Sequence, residues 1–554
     1  MKEKWTKYLA LFLAMLMLSS IVSCVSLNGG NETSETTAEE IPSVVTDEES
    51  DPETAMETDT ETEKETETET ETETETDTDT DTDTDADTDA DTDTGTETDS
   101  ATEVPSDPTE LGKAGDIKIN DEISILAWSD APNVEFCVED IIGDAVSDEI
   151  FWRNRDVEDQ LGITLKWSEI PGNDNNRTQF SGHVEASFLA NDRFYDIIAS
   201  HSRTMASISS MGILADLNAI ETGYIELEKA WWPESVSDAL TIGDSLYFVT
   251  GDISTNMLYQ MYGVFCNLQL GRSMNLGDPI QLVLNGEWTL SKFMEMSAGV
   301  YKDTDADGMI GMGDTWGVVA VKANLYQFYT GSDLAAIEPD DTETLVLSPD
   351  FTSEKLHGLV DLLTSFINSA DVFRTTGSYS YFEIFAEGRA LFTNNRLYLA
   401  EQKLMGVTFP YTILPTPKYN GEQDTYYTWA GESMTLWGIM TDSSAEDKSN
   451  FSAVIEVFAN KAYKYTTDMV FEVTYKDIFS ETKENTKMFQ YIRNGVRFDR
   501  AEVFLVPLRN EGVNERFYNA IWNGVKWSET ISACQRAIKN HIKKLVQTYE
   551  QIGT

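Results

Sequence analysis

Ile123-Ser124-Ile125-Leu126-Ala127-Trp128 opens the stretch that decides the fold, and Tyr195-Asp196-Ile197-Ile198-Ala199 closes it. The first run is nearly all apolar, as a strand buried on both faces must be. Ser147 then stands as the N-cap of a helix whose Ile150, Val157 and Leu161 share one face, and Gly162 stops it. Ile163, Leu165 and Trp167 alternate as a second strand, Val184 to Leu189 is helical, and Tyr195 to Ala199 is a third strand. Strand, helix, strand, helix, strand is the signature of a parallel sheet covered by helices, so the fold class is α/β.

Outward toward the C-terminus the same two periods continue. Thr289 caps a helix with Phe293, Met296 and Val300 on one face. An amphipathic helix starting near Ser528 carries Ile531, Cys534, Ile538, Leu545, Tyr549 and Ile552. A chain of 554 residues exceeds what one hydrophobic core organises, so two lobes are expected. Of the formal charge of −58, a net −28 falls after Gly112, with no clustered Lys and Arg stripe. Nucleic-acid binding is excluded on that ground, because neutralising phosphates needs such a stripe. Cys137, Cys266 and Cys534 read as small buried hydrophobes, with a disulfide among them the alternative.

Outward toward the N-terminus the chain carries an address. Lys2, Lys4 and Lys7 precede an uncharged apolar run from Tyr8 to Leu18, then small residues and Cys24. That is a secretory signal, residues 1–23, whose apolar run is shorter than the roughly 20 residues a bilayer span needs. Ile21-Val22-Ser23-Cys24 resembles the lipobox of bacterial lipoproteins, which implies cleavage before Cys24 and its acylation. Between Gly30 and Gly112 there are 33 acidic residues and one lysine. The alternation of acid and threonine from Glu57 to Thr94 offers no apolar face to bury, so 24–112 is expected to be a disordered, self-repelling spacer.

Several short motifs of the folded part occur in a fixed order. Asp156-Val157-Glu158-Asp159-Gln160-Leu161-Gly162-Ile163 is followed by Tyr195-Asp196-Ile197-Ile198 and Gly212-Ile213-Leu214-Ala215-Asp216-Leu217-Asn218. Trp231-Trp232-Pro233, Tyr247-Phe248 with Gly251-Asp252, Gly286-Glu287-Trp288-Thr289 and Leu414-Pro415-Thr416-Pro417-Lys418-Tyr419 come next. In this order they resemble the extracellular solute-binding proteins of ABC importers, in the group related to sugar-binding members. The resemblance implies a periplasmic-binding-protein-like fold of two α/β lobes joined by hinge strands near Tyr259–Asn267 and Trp429–Thr435. It places one lobe at 116–260 plus about 435–470 and the other at 265–430 plus about 475–554. It also implies a monomer on the extracellular face of the bacterial cytoplasmic membrane, tethered by lipid, with ABC permease subunits as partners.

One motif carries sharp chemistry. Asp303-Thr304-Asp305-Ala306-Asp307-Gly308-Met309-Ile310-Gly311-Met312-Gly313-Asp314 matches an EF-hand calcium loop by spacing. Asp303, Asp305, Asp307 and Asp314 would supply carboxylates and Met309 its carbonyl, while Gly308 permits the sharp turn. No second helix follows, so a structural Ca²⁺ is expected. Catalytic signatures are missing: the four histidines, His183, His201, His357 and His541, form no zinc motif, and no Gly-x-Ser-x-Gly elbow occurs. The expectation is a binding protein, not an enzyme.

Ligands of open α/β sheets sit outside the carboxyl ends of the strands. Those ends are Trp128-Ser129-Asp130, Ser200-His201-Ser202-Arg203 and Gly251-Asp252, and the second crossing adds Trp429-Ala430-Gly431-Glu432. A sugar needs aromatic platforms for its C–H faces and carboxylates or Arg for its hydroxyls. Trp128 and Trp429 with Asp130, Ser202, Arg203, Asp252 and Glu432 are therefore the expected site of a neutral, hydroxyl-rich solute, an oligosaccharide. Trp231 and Trp232 are expected to be structural. Two other functions fit the same residues: glycan capture without an importer, and a glycoside hydrolase whose paired carboxylates only a structure would reveal.

Overall fold

The computed structural model describes residues 107–377, 381–475, 483–510 and 512–552. The expected signal peptide, Cys24 and the spacer up to Ser106 lie outside them. Within this unit, strands β1 (Glu122–Trp128), β2 (Thr164–Ile170) and β3 (Ile197–His201) form a parallel sheet with β1 in the middle. Helix α1 (Ala145–Leu161) connects β1 to β2, and α2 (Arg177–Ala190) connects β2 to β3. Ile150, Val157 and Leu161 are buried as the helical period demands. Gly162 ends α1 in the left-handed region at φ 69°, where a Cβ would be strained. The N-cap, however, is Asp144 and not Ser147: the Asp144 carboxylate accepts from Ser147 N at 2.8 Å, which moves the helix start upstream.

After α3 (Ser202–Ser209) and α4 (Thr255–Gln260) the chain crosses into a second lobe at β4 (Tyr262–Asn267). There β5 (Trp316–Val321), β6 (Ile337–Pro339), β7 (Leu345–Leu347), β8 (Val372–Thr375), β9 (Ala390–Arg396) and β10 (Tyr411–Leu414) follow. Five of these strands make one sheet in the order β10-β4-β9-β5-β8, and β6 and β7 form a separate hairpin. Thr289 caps α5 (Leu290–Ser297), as its position suggested, and Phe293 packs 5.2 Å from Phe392 in an aromatic core. Gly317 opens β5 against α5, so closely that a Cβ there would lie 2.3 Å from the Ser297 carbonyl oxygen. Helix α6 (Glu354–Ile367) covers this sheet.

The return crossing runs through β11 (Thr428–Trp429) into β12 (Thr435–Ile439), which joins the first sheet antiparallel to β3. Beside it, Leu397 N and Tyr398 N donate to Met261 and Tyr259 carbonyls, tying the end of β9 to the first crossing. Helices α7 (Ala445–Lys464) and α8 (Thr466–Tyr475) then pack on α1 in the first lobe. Next come α9 (Lys483–Asn494), β13 (Val496–Arg497), the short α10 (Arg500–Val503), α11 (Val513–Asn523) and α12 (Trp527–Ile552).

The assignment of 475–554 to the second lobe needs correcting. Helix α12 has 26 residues, about 39 Å at 1.5 Å per residue, and outruns one lobe. Its start is fixed in the second lobe, where Trp527 Nε1 donates to the Phe351 carbonyl at 2.9 Å. Its end is fixed in the first, where the Tyr549 hydroxyl meets Ser209 Oγ at 2.6 Å and the ring lies 5.3 Å from Tyr247. Its buried face is Cys534, Ile538, Ile542, Leu545 and Tyr549. Cys266 and Cys534 are buried free thiols, but Cys137 is exposed, contrary to expectation, in the loop before α1. Among the described residues no helix is long and apolar enough to cross a membrane.

Candidate ligand-binding cleft

The carboxyl ends of β1 and β3 gather polar side chains beside the crossings between the lobes. Asp130 fixes the adjoining turn: its carboxylate accepts from Gly172 N at 2.7 Å, Asn173 N at 3.0 Å and Asn176 Nδ2 at 2.8 Å. The turn so fixed presents Asp174, which pairs with Arg203 Nη1 at 2.9 Å and with Arg177. Ser202 is wholly buried and donates to the Glu432 carbonyl at 2.6 Å, fastening the return crossing to β3. Glu432 Oε1 in turn meets Arg396 Nη2, at the end of β9, at 3.3 Å. Arg203 also reaches Glu502 of α10 at 3.9 Å.

These carboxylates differ in their proton affinity. Burial works to raise Glu432, but the Arg396 and Arg203 guanidiniums outweigh it and hold its carboxyl below the usual range. Asp174 is likewise held down, by Arg203 first, against the pull of burial. Burial and the Glu432 charge push Glu502 up to about 8 despite Arg203. Trp429 Nε1 donates to Glu502 at 2.9 Å, and Asn514 of α11 donates to its other oxygen. His201 is neutral, since burial and Arg203 push it down to about 4.

A second group of side chains belongs to the second lobe and to α11. Lys322, just past the carboxyl end of β5, holds its ammonium 5.6 Å from the Tyr518 ring centre. Arg374 of β8 lies 4.3 Å over Trp522 and donates to the Trp522 carbonyl at 2.6 Å. Both aromatics are half-buried. Burial and the charges of Glu515, Glu502 and Glu432 push the Tyr518 hydroxyl up to about 12, which places it within electrostatic reach of the first group. Asn514, Tyr518 and Trp522 are four residues apart and so share one face of α11, while Val513, Phe517, Ala520 and Ile521 form its buried face. Sequence reasoning missed this triplet, although its spacing was visible.

Three of the expected ligand residues are placed elsewhere. Trp128 is 1% exposed, donates to Thr435 Oγ1 at 3.0 Å and meets the His201 ring edge-on: it is core, not platform. Trp429 is 4% exposed, stacked 4.3 Å from Tyr262 and edge-on to Tyr326, so it is a wall of the crossing. Asp252 is buried in an ion pair with Arg493 of α9 at 2.7 Å, apart from the Arg203 cluster. Each has its polar atoms satisfied by protein partners, which is why a strand-end position alone misassigned it. Arg203, Glu432 and Ser202 lie together, Ser202 donating to the Glu432 carbonyl, and Asp130 braces the adjoining turn that presents Asp174 to Arg203. Trp231 and Trp232 are buried and donate to Glu456 at 3.1 and 2.9 Å.

At the calcium-type loop, ligand oxygens of Asp303, Asp305 and Asp307 lie within 4.8 Å of one another. Asp303 Oδ1 is buried and has no hydrogen-bond partner, so the donor set fits a cation. Asp314 differs from its expected role. It is fully buried and accepts from Thr304 N, Gly311 N and the Tyr301 hydroxyl, which braces the loop. The Met309 amide donates to Asp307 and its side chain is exposed.

No protein-family model matches the sequence, and no curated protein matches it. Solved structures do. The chain superposes with a TM-score of 0.53 on the sugar-binding protein MalE from the phytopathogen Xanthomonas citri, at 12% identity over 78% of this chain and 99% of that one. It superposes with a TM-score of 0.50 on the extracellular solute-binding protein of Staphylococcus aureus in complex with maltose, at 14% identity over 77% of this chain and 99% of that one. The two-lobed α/β architecture expected from the sequence is the one present: this chain has the periplasmic-binding-protein-like fold of the sugar-binding solute receptors.

Proposed function

We propose that the chain is an extracellular receptor that captures an oligosaccharide between its lobes and delivers it to an ABC permease. The observation that carries this reading is the pairing of Tyr518 and Trp522 in one group with Arg203, Asp174 and Glu432 in the other. Half-buried aromatic rings suit the C–H faces of a sugar, and partly exposed carboxylates and guanidiniums suit its hydroxyls. Closure about the crossings would enclose the ligand, and affinity would follow the preference of ligand for the closed state. The lipobox-like segment ending at Cys24 supports a lipid-anchored protein on the outer face of the cytoplasmic membrane, with the acidic spacer lifting the receptor from it. The buried, unpartnered Asp303 oxygen supports a structural Ca²⁺ held by Asp303, Asp305 and Asp307, neutralising carboxylates that otherwise repel.

Isothermal titration against a panel of oligosaccharides tests the reading. At least one glycan is expected to bind, and Tyr518→Ala and Trp522→Ala each to weaken it about tenfold or more, the ~1.4 kcal/mol or above of a stacking anchor. Silence across the panel, or unchanged affinity in both variants, refutes it.

A further inference from the structure

Charge is distributed oddly in this protein. The chain beyond Gly112 carries a net −28, yet the cleft gathers cations from both lobes. Arg177 and Arg203 share one carboxylate, Asp174. Arg396 takes Glu432. Lys322 meets the Tyr518 ring and, among the described residues, forms no ion pair with a carboxylate. Arg374, over Trp522 one turn along the same face of α11, is held among the described residues by neutral acceptors, Asn368 Oδ1 and the Trp522 carbonyl. The Arg203 Nε is buried without a hydrogen-bond partner. Glu502 stands 3.9 Å from Arg203 and answers part of its charge. Glu515 is solvent-exposed, where salt screens it.

We infer that the cleft selects an anionic saccharide, one bearing a carboxylate on its sugar ring, with Lys322 and Arg203 receiving the charge while Tyr518 takes the ring face. Three cationic side chains, Arg177, Arg203 and Lys322, face two carboxylates, Asp174 and Glu502, and Lys322 pairs with neither, so a neutral sugar would leave its charge unanswered. A ring carboxylate adds charge-assisted hydrogen bonds to the hydroxyl contacts that any sugar makes. The inference rests on the saccharide reading above and replaces the neutral solute expected from the sequence with an acidic one.

The test is a titration of the intact folded chain with uronate oligosaccharides of several backbones, each beside its methyl ester. The ester keeps the shape and deletes the charge. One acid is expected to bind at least tenfold more tightly than its ester, with affinity falling as salt rises, and Lys322→Gln is expected to reduce that ratio severalfold. If neutral glycans or esters bind as well as acids, or better, the charge inference falls and the saccharide reading stands. If sulfated glycans bind and uronates do not, the cleft reads sulfate and the carboxylate assignment falls. If no glycan of any kind binds, both readings fall together.

Discussion

Replacing Arg493 by methionine should destabilise the folded chain by an amount that depends on pH. Asp252 is 1% exposed, and the Arg493 guanidinium holds it with two contacts, Nη2 at 2.7 Å and Nε at 3.3 Å. Methionine keeps the stem and removes the charge, leaving a carboxylate buried and unpaired, a change that costs about 3–5 kcal/mol when the charge must stay. The carboxyl has an escape, which is to take up a proton on folding. Arg493 already fails to cancel the upward push of burial on Asp252, so without it the folded-state value rises further. The unfolded carboxyl titrates near pH 3.9, and each pH unit above that adds about 1.4 kcal/mol to the cost of folding protonated. Near pH 5.5 protonation costs roughly 2 kcal/mol and limits the loss, whereas near pH 8 it would cost about 5–6 kcal/mol and the full ~3–5 kcal/mol charge-burial penalty applies. Urea unfolding followed by tryptophan fluorescence at the two pH values gives both losses. Adding Asp252→Asn to the variant should restore most of the stability at the higher pH. Equal losses at both pH values, or a loss below about 1 kcal/mol, refute the buried-pair argument. Solute affinity of the folded variant should be unchanged, because Asp252 lies apart from the Arg203 cluster.

Four further outcomes are expected. Gly317→Ala should destabilise the second lobe strongly, since its Cβ would meet the Ser297 carbonyl at 2.3 Å, and a melting temperature within a degree or two of the parent would contradict the packing described. Tyr549→Ala should cost about 3–5 kcal/mol and Tyr549→Phe only about 1, separating the buried ring from its hydroxyl bond to Ser209; similar losses in the two would overturn that division. Calcium should raise the melting temperature and EDTA lower it, with Asp303→Asn insensitive to both, and calcium-independent melting of the parent would remove the metal assignment. Stability should fall as pH rises from about 5 to 8. Glu456 and Glu502 are both pushed up to about 8 by burial, so across that window the folded state holds protons that the unfolded state has released. A flat profile in scanning calorimetry, or Glu456→Gln leaving the slope unchanged, would contradict that balance.

The fold was legible because local signals and burial agreed. The apolar run 123–128 is a central strand, Gly162 adopts the left-handed turn its position called for, and Thr289 caps its helix. The helix start failed because Asp144 and Ser147 are both good caps three residues apart, and only the backbone decides between them. The site was half legible. Arg203 and Glu432 lie where strand ends should place a ligand, but Trp128 and Trp429 turn inward to Thr435 and Glu502. A tryptophan at a strand end serves core or cleft according to which face its neighbours leave open, and that is tertiary information. Asn514, Tyr518 and Trp522 were the reverse case. Their fourfold spacing was readable, but nothing local tells that α11 is laid along the cleft.

Helix α12 is fastened to both lobes and so restrains how they can move apart. A stiff rod fastened at Trp527 in one half and at Tyr549 in the other cannot stretch, so widening the mouth requires either bending the rod or unfastening its last turn. Unfastening exposes one aromatic ring and breaks one hydroxyl bond, a local event that can occur while both sheets stay intact. The gap then has a doorstop whose release sets how often it stands wide. Weakening the Tyr549 end should favour the wide state and, because binding is linked to closure, loosen the hold on the solute as well.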